Sequence, residues 1–384
     1  MEFDLSFLLL GLPLAFGLGW LASRMDIRQL KLENQQAPKA YFKGLNFLLN
    51  EQQDQAIDAF IEAVQNDPDT SELHFALGNL FRRRGEYERA VRVHQHLLSR
   101  ADLSPDDRHR AQHALALDYL KAGLLDRAEE ALLKLEGTRF EAQARLALLA
   151  NYERSRDWAL AAGVAQRLQD SDQGNFAPRL AHYLCEQAQA LVQQGQPDAA
   201  MAHYERAIHT APDAARARIA LAELQHRQGH ATEAFGTLLV ALDRAPQASP
   251  LIAPLLARYA QDCGQQAPAL EKLLELYCGP HPSLDVLDAI VALQPADASA
   301  SARDWYVQHL EKEPSLVAAA QWIAGEKLEH EQFHPQVQRA LDHTVKPLKR
   351  YRCAACGFEA KQHFWQCPGC QTWDSYPARR VEEL

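Results

Sequence analysis

Small and apolar residues recur along the middle of the chain with a period of 34. Gly44 opens the series, followed by Phe47, Ala56, Phe60, Ala63 and Pro68; one period on stand Leu77, Gly78, Phe81, Ala90 and Leu97. A second well-phased pair runs Leu191, Gly195, Ala200, Tyr204, Ala207 and Pro212, then Gly229, Ala234, Leu238, Ala241 and Pro246. Between these pairs the pattern weakens through Leu115, Tyr119, Gly123, Ala128 and Leu132, and through Leu149, Tyr152, Trp158 and Ala161. A degenerate seventh unit passes through Ala257, Gly264, Ala269 and Leu273. The intervening residues are helix formers, with Gly and Pro as breaks. Each unit therefore predicts two antiparallel helices. Gly44, Gly78, Ala56, Ala90, Ala200 and Ala234 mark close crossings, large residues fill the gaps, and proline ends the second helix.

This pattern resembles the tetratricopeptide repeat and covers 37–280. It implies an all-α superhelical solenoid, whose concave surface binds segments of other proteins and carries no chemistry of its own. Outward positions of the first helices hold Asn79, Arg82 and Arg83, then Lys121, then Arg216, His226 and Arg227. They are candidate contacts for an acidic or C-terminal peptide, weighed against a plain solvated face. From 281 to 347 the period is lost. Segments 284–293, 303–312 and 315–332 still read as helical, and Trp305 and Trp322 are expected to cap the repeat stack.

The first residues follow another rule. Leu5 to Ala22 is an uncharged run of 18 residues, about 27 Å as a helix, which is enough to cross a bilayer core. Glu2 and Asp4 precede it, while Arg24, Arg28 and Lys31 follow. A cleaved signal peptide would show the reverse charge order. The expectation is an uncleaved N-terminal transmembrane helix over 1–22 and a juxtamembrane linker over 23–36, with the bulk of the chain on the cytoplasmic side. Gly11, Ala15 and Gly19 form a small-residue stripe on that helix, suited to packing against a second membrane helix.

The chain has 384 residues, a length that suggests two or three units. Its net charge of −10 argues against nucleic acid as the main partner, and its 47% hydrophobic content against wholesale disorder. Seven cysteines, four of them in two C-x-x-C pairs, do not form a secreted disulfide framework. Cys353, Cys356, Cys367 and Cys370 have the spacing of a closed four-thiolate site for zinc or iron. Gly357 and Gly369 are expected to supply the turns' conformational freedom. The small unit over 348–384 needs the metal for most of its folding energy. Phe358, Phe364, Trp365, Trp373 and Tyr376 are many aromatics for such a unit, so some are core and one or two face the repeats or a partner.

His330-Glu331-Gln332-Phe333-His334 matches the H-E-x-x-H of zinc proteases, but Pro335 disfavours helical geometry at His334. No catalytic residue is assigned.

The knuckles C-A-A-C-G and C-P-G-C resemble rubredoxin and zinc-ribbon proteins, although Gln371 stands where rubredoxins often carry glycine. An anchor, tetratricopeptide repeats and a rubredoxin-like ribbon, in that order, resemble the bacterial lipopolysaccharide assembly protein B family (LapB, also YciM) along essentially the whole chain. The resemblance implies a non-enzymatic inner-membrane adaptor regulating lipopolysaccharide synthesis. Its implied partners are the membrane protease FtsH, the LpxC deacetylase delivered to it, the restraining membrane protein PbgA (YejM) and lipopolysaccharide assembly proteins, with homo-oligomers also open. Two alternatives stay open: a general assembly scaffold for envelope enzymes, and an iron-binding redox protein.

Overall fold

The computed structural model describes residues 42–66, 70–279, 282–294, 299–324 and 334–384. The expected anchor, its linker and the stripe Gly11, Ala15 and Gly19 lie outside them. Among the described residues no helix is long and apolar enough to cross a membrane. The chain divides into two compact units, 1–157 and 158–384.

Among the described residues the first unit is a run of seven helices: α1 (42–49), α2 (Gln53–Asn66), α3 (Ser71–Arg84), α4 (Tyr87–Ser99), α5 (Pro105–Ala122), α6 (Leu125–Leu133) and α7 (Glu141–Ser155). Their starts repeat the sequence period: Gln53 and Tyr87 are 34 apart, as are Ser71 and Pro105. Local chemistry sets the boundaries. Ser104 accepts a hydrogen bond from the Asp107 amide at 3.1 Å and Pro105 follows in the first turn, so α5 begins there. At the end of α3, Gly85 has φ +84° and returns its amide to the Phe81 and Arg82 carbonyls, which turns the chain tightly into α4.

The small residues sit at the close crossings. Ala56 and Ala90 are fully buried. A Cβ built on Gly44 would stand 2.8 Å from the Phe60 ring, and one on Gly78 would stand 2.5 Å from the His94 ring. Each glycine is therefore a notch for an aromatic ring from the facing helix.

The second unit continues with α8 (Trp158–Asp170), α9 (Ala177–Gln193), α10 (Pro197–Thr210), α11 (Ala215–Arg227), α12 (Ala231–Arg244), α13 (Ser249–Cys263) and α14 (Gln266–Tyr277). Ala200, Ala207, Ala234 and Ala241 are fully buried beside Tyr204 and Leu238. Helices α10 and α12 stop at Thr210 and Arg244, two residues before Pro212 and Pro246.

Past the repeats come α15 (Leu284–Leu293), α16 (Ser299–Lys312), α17 (Leu316–Ala324) and α18 (His334–Val345). They are no separate appendage. One apolar core runs from Ala215 through Leu256 and Tyr277 to Ile290, Val317 and Val345. Trp305 packs edge-on against Tyr277 with ring centres 5.9 Å apart. Periodicity could not place these helices because they join the core without repeating the 34-residue figure.

Candidate metal centre

After α18 the chain folds into a ribbon of two short hairpins. Strand β1 (Tyr351–Arg352) pairs antiparallel with β2 (Glu359–Ala360), and Gln366 bridges Trp373 in the same sense. Each hairpin carries a knuckle at its tip, and the two are built alike. The Cys353 amide donates to the Phe358 carbonyl at 2.9 Å and the Cys367 amide to the Thr372 carbonyl at 3.0 Å. The Gly357 amide returns to the Cys353 carbonyl, and the Gln371 amide to the Cys367 carbonyl. The residue after each second cysteine is left-handed: Gly357 has φ +76° and Gln371 φ +59°. The expectation for Gly369 is thus corrected. The second knuckle places its left-handed residue at Gln371, where a side chain costs about 1 kcal/mol or more.

This geometry brings the sulfurs of Cys353, Cys356, Cys367 and Cys370 within 4.8 Å of one another. The Cys353–Cys370 and Cys356–Cys367 sulfurs are 3.8 and 3.7 Å apart. A tetrahedral ion with metal–sulfur bonds of about 2.3 Å requires edges of about 3.8 Å, so the donor set fits. Cys353 and Cys367 are buried, while Cys356 and Cys370 are exposed. The Ser375 and Thr372 hydroxyls lie 3.3 Å from the Cys353 and Cys370 sulfurs. The Thr372 contact lowers the Cys370 thiol pKa below its ordinary value, which favours the ligating thiolate. Four thiolates leave no open coordination position, so a metal held here supports structure and offers no site for hydrolysis.

The ribbon's own core is small: Tyr351, Cys353, Cys367 and Tyr376, with Leu251 of α13 packed against it. It is completed by docking. Trp373 stacks on His182 of α9, ring centres 4.6 Å apart, and meets Trp158 and Tyr183 edge-on. His182 Nδ1 lies 3.3 Å from an Arg216 guanidinium nitrogen, which can only donate, so Nδ1 accepts. Nε2 then carries the hydrogen given to Asp374 at 2.8 Å. The ring is held in one neutral tautomer between a repeat helix and the ribbon.

The last residues extend the dock. Glu383 accepts from the Leu284 amide at 2.6 Å and lies 3.1 Å from the Ser283 hydroxyl, at the start of α15. Glu382 accepts from the Leu316 amide at 2.6 Å and the Val317 amide at 3.2 Å, at the start of α17. Arg380 binds Asp285 through two nitrogens, at 2.9 and 3.0 Å. Carboxylates at two helix N-termini satisfy orphan amides and oppose the helix dipoles.

The candidate groove residues meet different fates. Arg82 donates to buried Asp118 at 2.8 Å, to the Ala114 carbonyl and to Asn79, while His94 holds the other Asp118 oxygen at 2.5 Å. Arg82 and Asn79 are therefore committed inside the first unit. Arg83 and Lys121 are exposed. Arg216 is 8% exposed, pairs with Glu186 at 2.6 Å, and stands over the Trp373 ring. His226 stacks on Tyr259 and bonds Asp262 at 2.7 Å. Arg227 is exposed and reaches the Glu223 backbone carbonyl at 3.2 Å. The sequence reading missed His182, Asp374, Glu382 and Glu383. No local pattern marks them, since each acts across a large separation in the chain.

Of the five residues in the protease-like motif, only His334 lies within the described residues. Its Nε2 bonds the Ile323 carbonyl at 3.1 Å.

Residues 351–376 match the rubredoxin metal binding domain family, and 73–109 and 185–249 match tetratricopeptide repeats. The whole chain is similar to lipopolysaccharide assembly protein B of Escherichia coli K12, at 31% identity over 99% of this chain and 100% of that one. The protein of the same name in Haemophilus influenzae is 28% identical over 97% of each chain. Among solved structures, a tetratricopeptide repeat protein from Parabacteroides merdae is similar at 14% identity and a TM-score of 0.34, over 67% of this chain and 99% of that one.

Proposed function

The chain belongs to the lipopolysaccharide assembly protein B family, and from that premise we propose that it is a non-enzymatic adaptor controlling lipopolysaccharide synthesis at the inner membrane. The observation that carries the reading is the match along the full length, which takes in both the repeats and the four-cysteine ribbon. In this reading the repeat groove binds a client, the LpxC deacetylase, and hands it to the membrane protease FtsH for degradation. The N-terminal anchor, through Gly11, Ala15 and Gly19, packs against the protease or against a restraining PbgA-type membrane protein. Of the candidate groove residues, the exposed Arg83, Lys121 and Arg227 are offered to partners, since Arg216 and His226 already hold Glu186 and Asp262.

Physical chemistry supports each part. Tethering a binding surface to the membrane raises the client's effective concentration near a membrane protease, with no new contact needed. A closed thiolate site suits a brace better than a catalyst. The ribbon's contacts with α9, α13, α15 and α17 hold it against the helices that would carry the client.

The test is the deacetylase half-life in the native cell, with the protein present and then depleted. Depletion is expected to lengthen it several-fold. An unchanged half-life overturns the proteolytic role and favours a general assembly scaffold for envelope enzymes, to be followed by identifying what co-purifies from membranes.

A further inference from the structure

The second unit contains a groove of about 760 Å³, lined by α9, α11 and α13 and walled at one side by Trp365 of the ribbon. Its charges are unequally satisfied. Arg216 is matched by Glu186, while His226 bonds Asp262, which lies outside the groove lining. Arg227 and Arg258 are exposed, and among the described residues neither has a carboxylate within ion-pair distance. The one acid lining the groove beside them is Glu223. Two guanidiniums against one carboxylate leave the groove cationic in a chain of net charge −10. Next to them lies an apolar strip of Leu255, Tyr259 and Trp365.

We propose that this groove binds a short peptide segment in which a carboxylate stands beside a large apolar side chain. Arg227 and Arg258 take the carboxylate, and Leu255, Tyr259 and Trp365 take the apolar group. This deepens the adaptor reading and rests on it, since it names the chemistry of the client segment. A surplus of one positive charge is too small to hold a phosphate backbone, which needs many such contacts. It is enough to orient one carboxylate, which a guanidinium binds in a fork. The volume lies in the range of ordinary ligand sites, and the open run along three helices suits an extended segment better than a compact molecule.

The position of Trp365 makes the site depend on the metal knuckles. Its carbonyl accepts from the Asp374 amide at 2.9 Å, and Cys367 follows two residues later. The groove wall is therefore continuous with the second knuckle, and a ribbon that loses its metal loses the Trp365 wall of the site, while Leu255 and Tyr259 stay on α13.

The test uses the purified full chain and two fluorescein-labelled decapeptides, read by fluorescence anisotropy at 0.15 M salt. One peptide alternates acidic residues with leucine and phenylalanine; the other carries the matching amides. The acidic peptide is expected to bind at least tenfold more tightly. Arg227→Glu with Arg258→Glu should remove that preference, whereas Arg206→Glu, outside the groove, should leave it. Chelation of the metal should weaken binding of the acidic peptide by a similar factor. Equal binding of the two peptides, an unaffected double variant, or displacement of the peptide by polyphosphate at equal charge overturns the proposal. Circular dichroism of the double variant separates a lost contact from a lost fold, and Arg227→Gln with Arg258→Gln repeats the test without reversing charge. The same double variant placed in cells distinguishes the two readings. If deleting the protein lengthens the deacetylase half-life and the variant does not, the adaptor stands and this groove falls. If the peptide binds as expected and deletion changes no half-life, the groove stands and the proteolytic role falls.

Discussion

In the repeat helices, stability is distributed. Ala56, Ala90, Ala200 and Ala234 are buried at successive crossings, and each large neighbour such as Phe60 or Leu238 contributes about 1.5–3 kcal/mol of burial. In the ribbon it is concentrated. Four buried side chains, two of them cysteines, make its core, and a dock of Trp373 on His182, Arg380 on Asp285 and the Glu382 and Glu383 carboxylates joins it to the helices. The ribbon has two critical elements, the thiolate set that folds it and the dock that holds it to the helices. One chain thus joins helices of distributed stability to a ribbon that can fail as a whole.

The largest effect should come from replacing Cys353 and Cys356 by serine. A structural zinc site supplies about 10 kcal/mol or more. The variant should purify without bound metal, and residues 348–384 should become protease-sensitive, while the helical circular dichroism of the repeats persists. Collapse of the whole helical signal would show that the repeats need the ribbon, and the contrast drawn above would fail.

Trp373→Ala separates the two elements. Losing a nearly buried ring stacked on His182 should cost about 3–5 kcal/mol, yet leave the four thiolates in place. We expect one metal per chain with faster hydrogen exchange in α9 and in the ribbon. Release of metal in this variant would mean that docking and metal binding are one event.

Gly78→Ala probes the distributed region. The added methyl would lie 2.5 Å from the fully buried His94 ring, whose Nδ1 is bound to Asp118 and cannot swing aside freely. Overpacking of this kind costs about 1–3 kcal/mol, read as a lower urea midpoint at unchanged slope. No change would show that the helices at this crossing can slide apart.

The smallest effect is a pH dependence. Burial lowers the pKa of His309 from its ordinary 6.5, and its Nδ1 lies 3.0 Å from the Tyr277 hydroxyl. Between 6.5 and the lower folded value, the unfolded chain binds a proton that the fold refuses. Stability therefore falls as pH drops through that window and levels off below it. His309→Gln should reduce the slope of melting temperature against pH by up to one proton's share. An identical slope would place the titration elsewhere.

Much of the molecule was legible in one dimension. The repeat period located the helices of both units because a residue every 34 positions must face the same neighbour. The cysteine spacing located the four-sulfur cluster because a C-x-x-C turn aims two sulfurs at one point wherever it occurs. A small residue at a crossing and a proline after a helix likewise act locally.

What the chain order did not disclose depends on partners distant in sequence. Arg82 and Arg216 both read as outward cations. Tertiary structure decided that Asp118 holds one, while Glu186 and the Trp373 ring hold the other. Glu382 and Glu383 carry no local signal, and only the fold set them on the N-termini of α17 and α15. Trp365 and Trp373 were two aromatics among five until docking turned one toward the groove and the other onto His182. The physical reason is the same throughout. Periodicity and turn chemistry are properties of neighbours along the chain, whereas the free energy of a buried charge or a stacked ring depends on what folding places beside it.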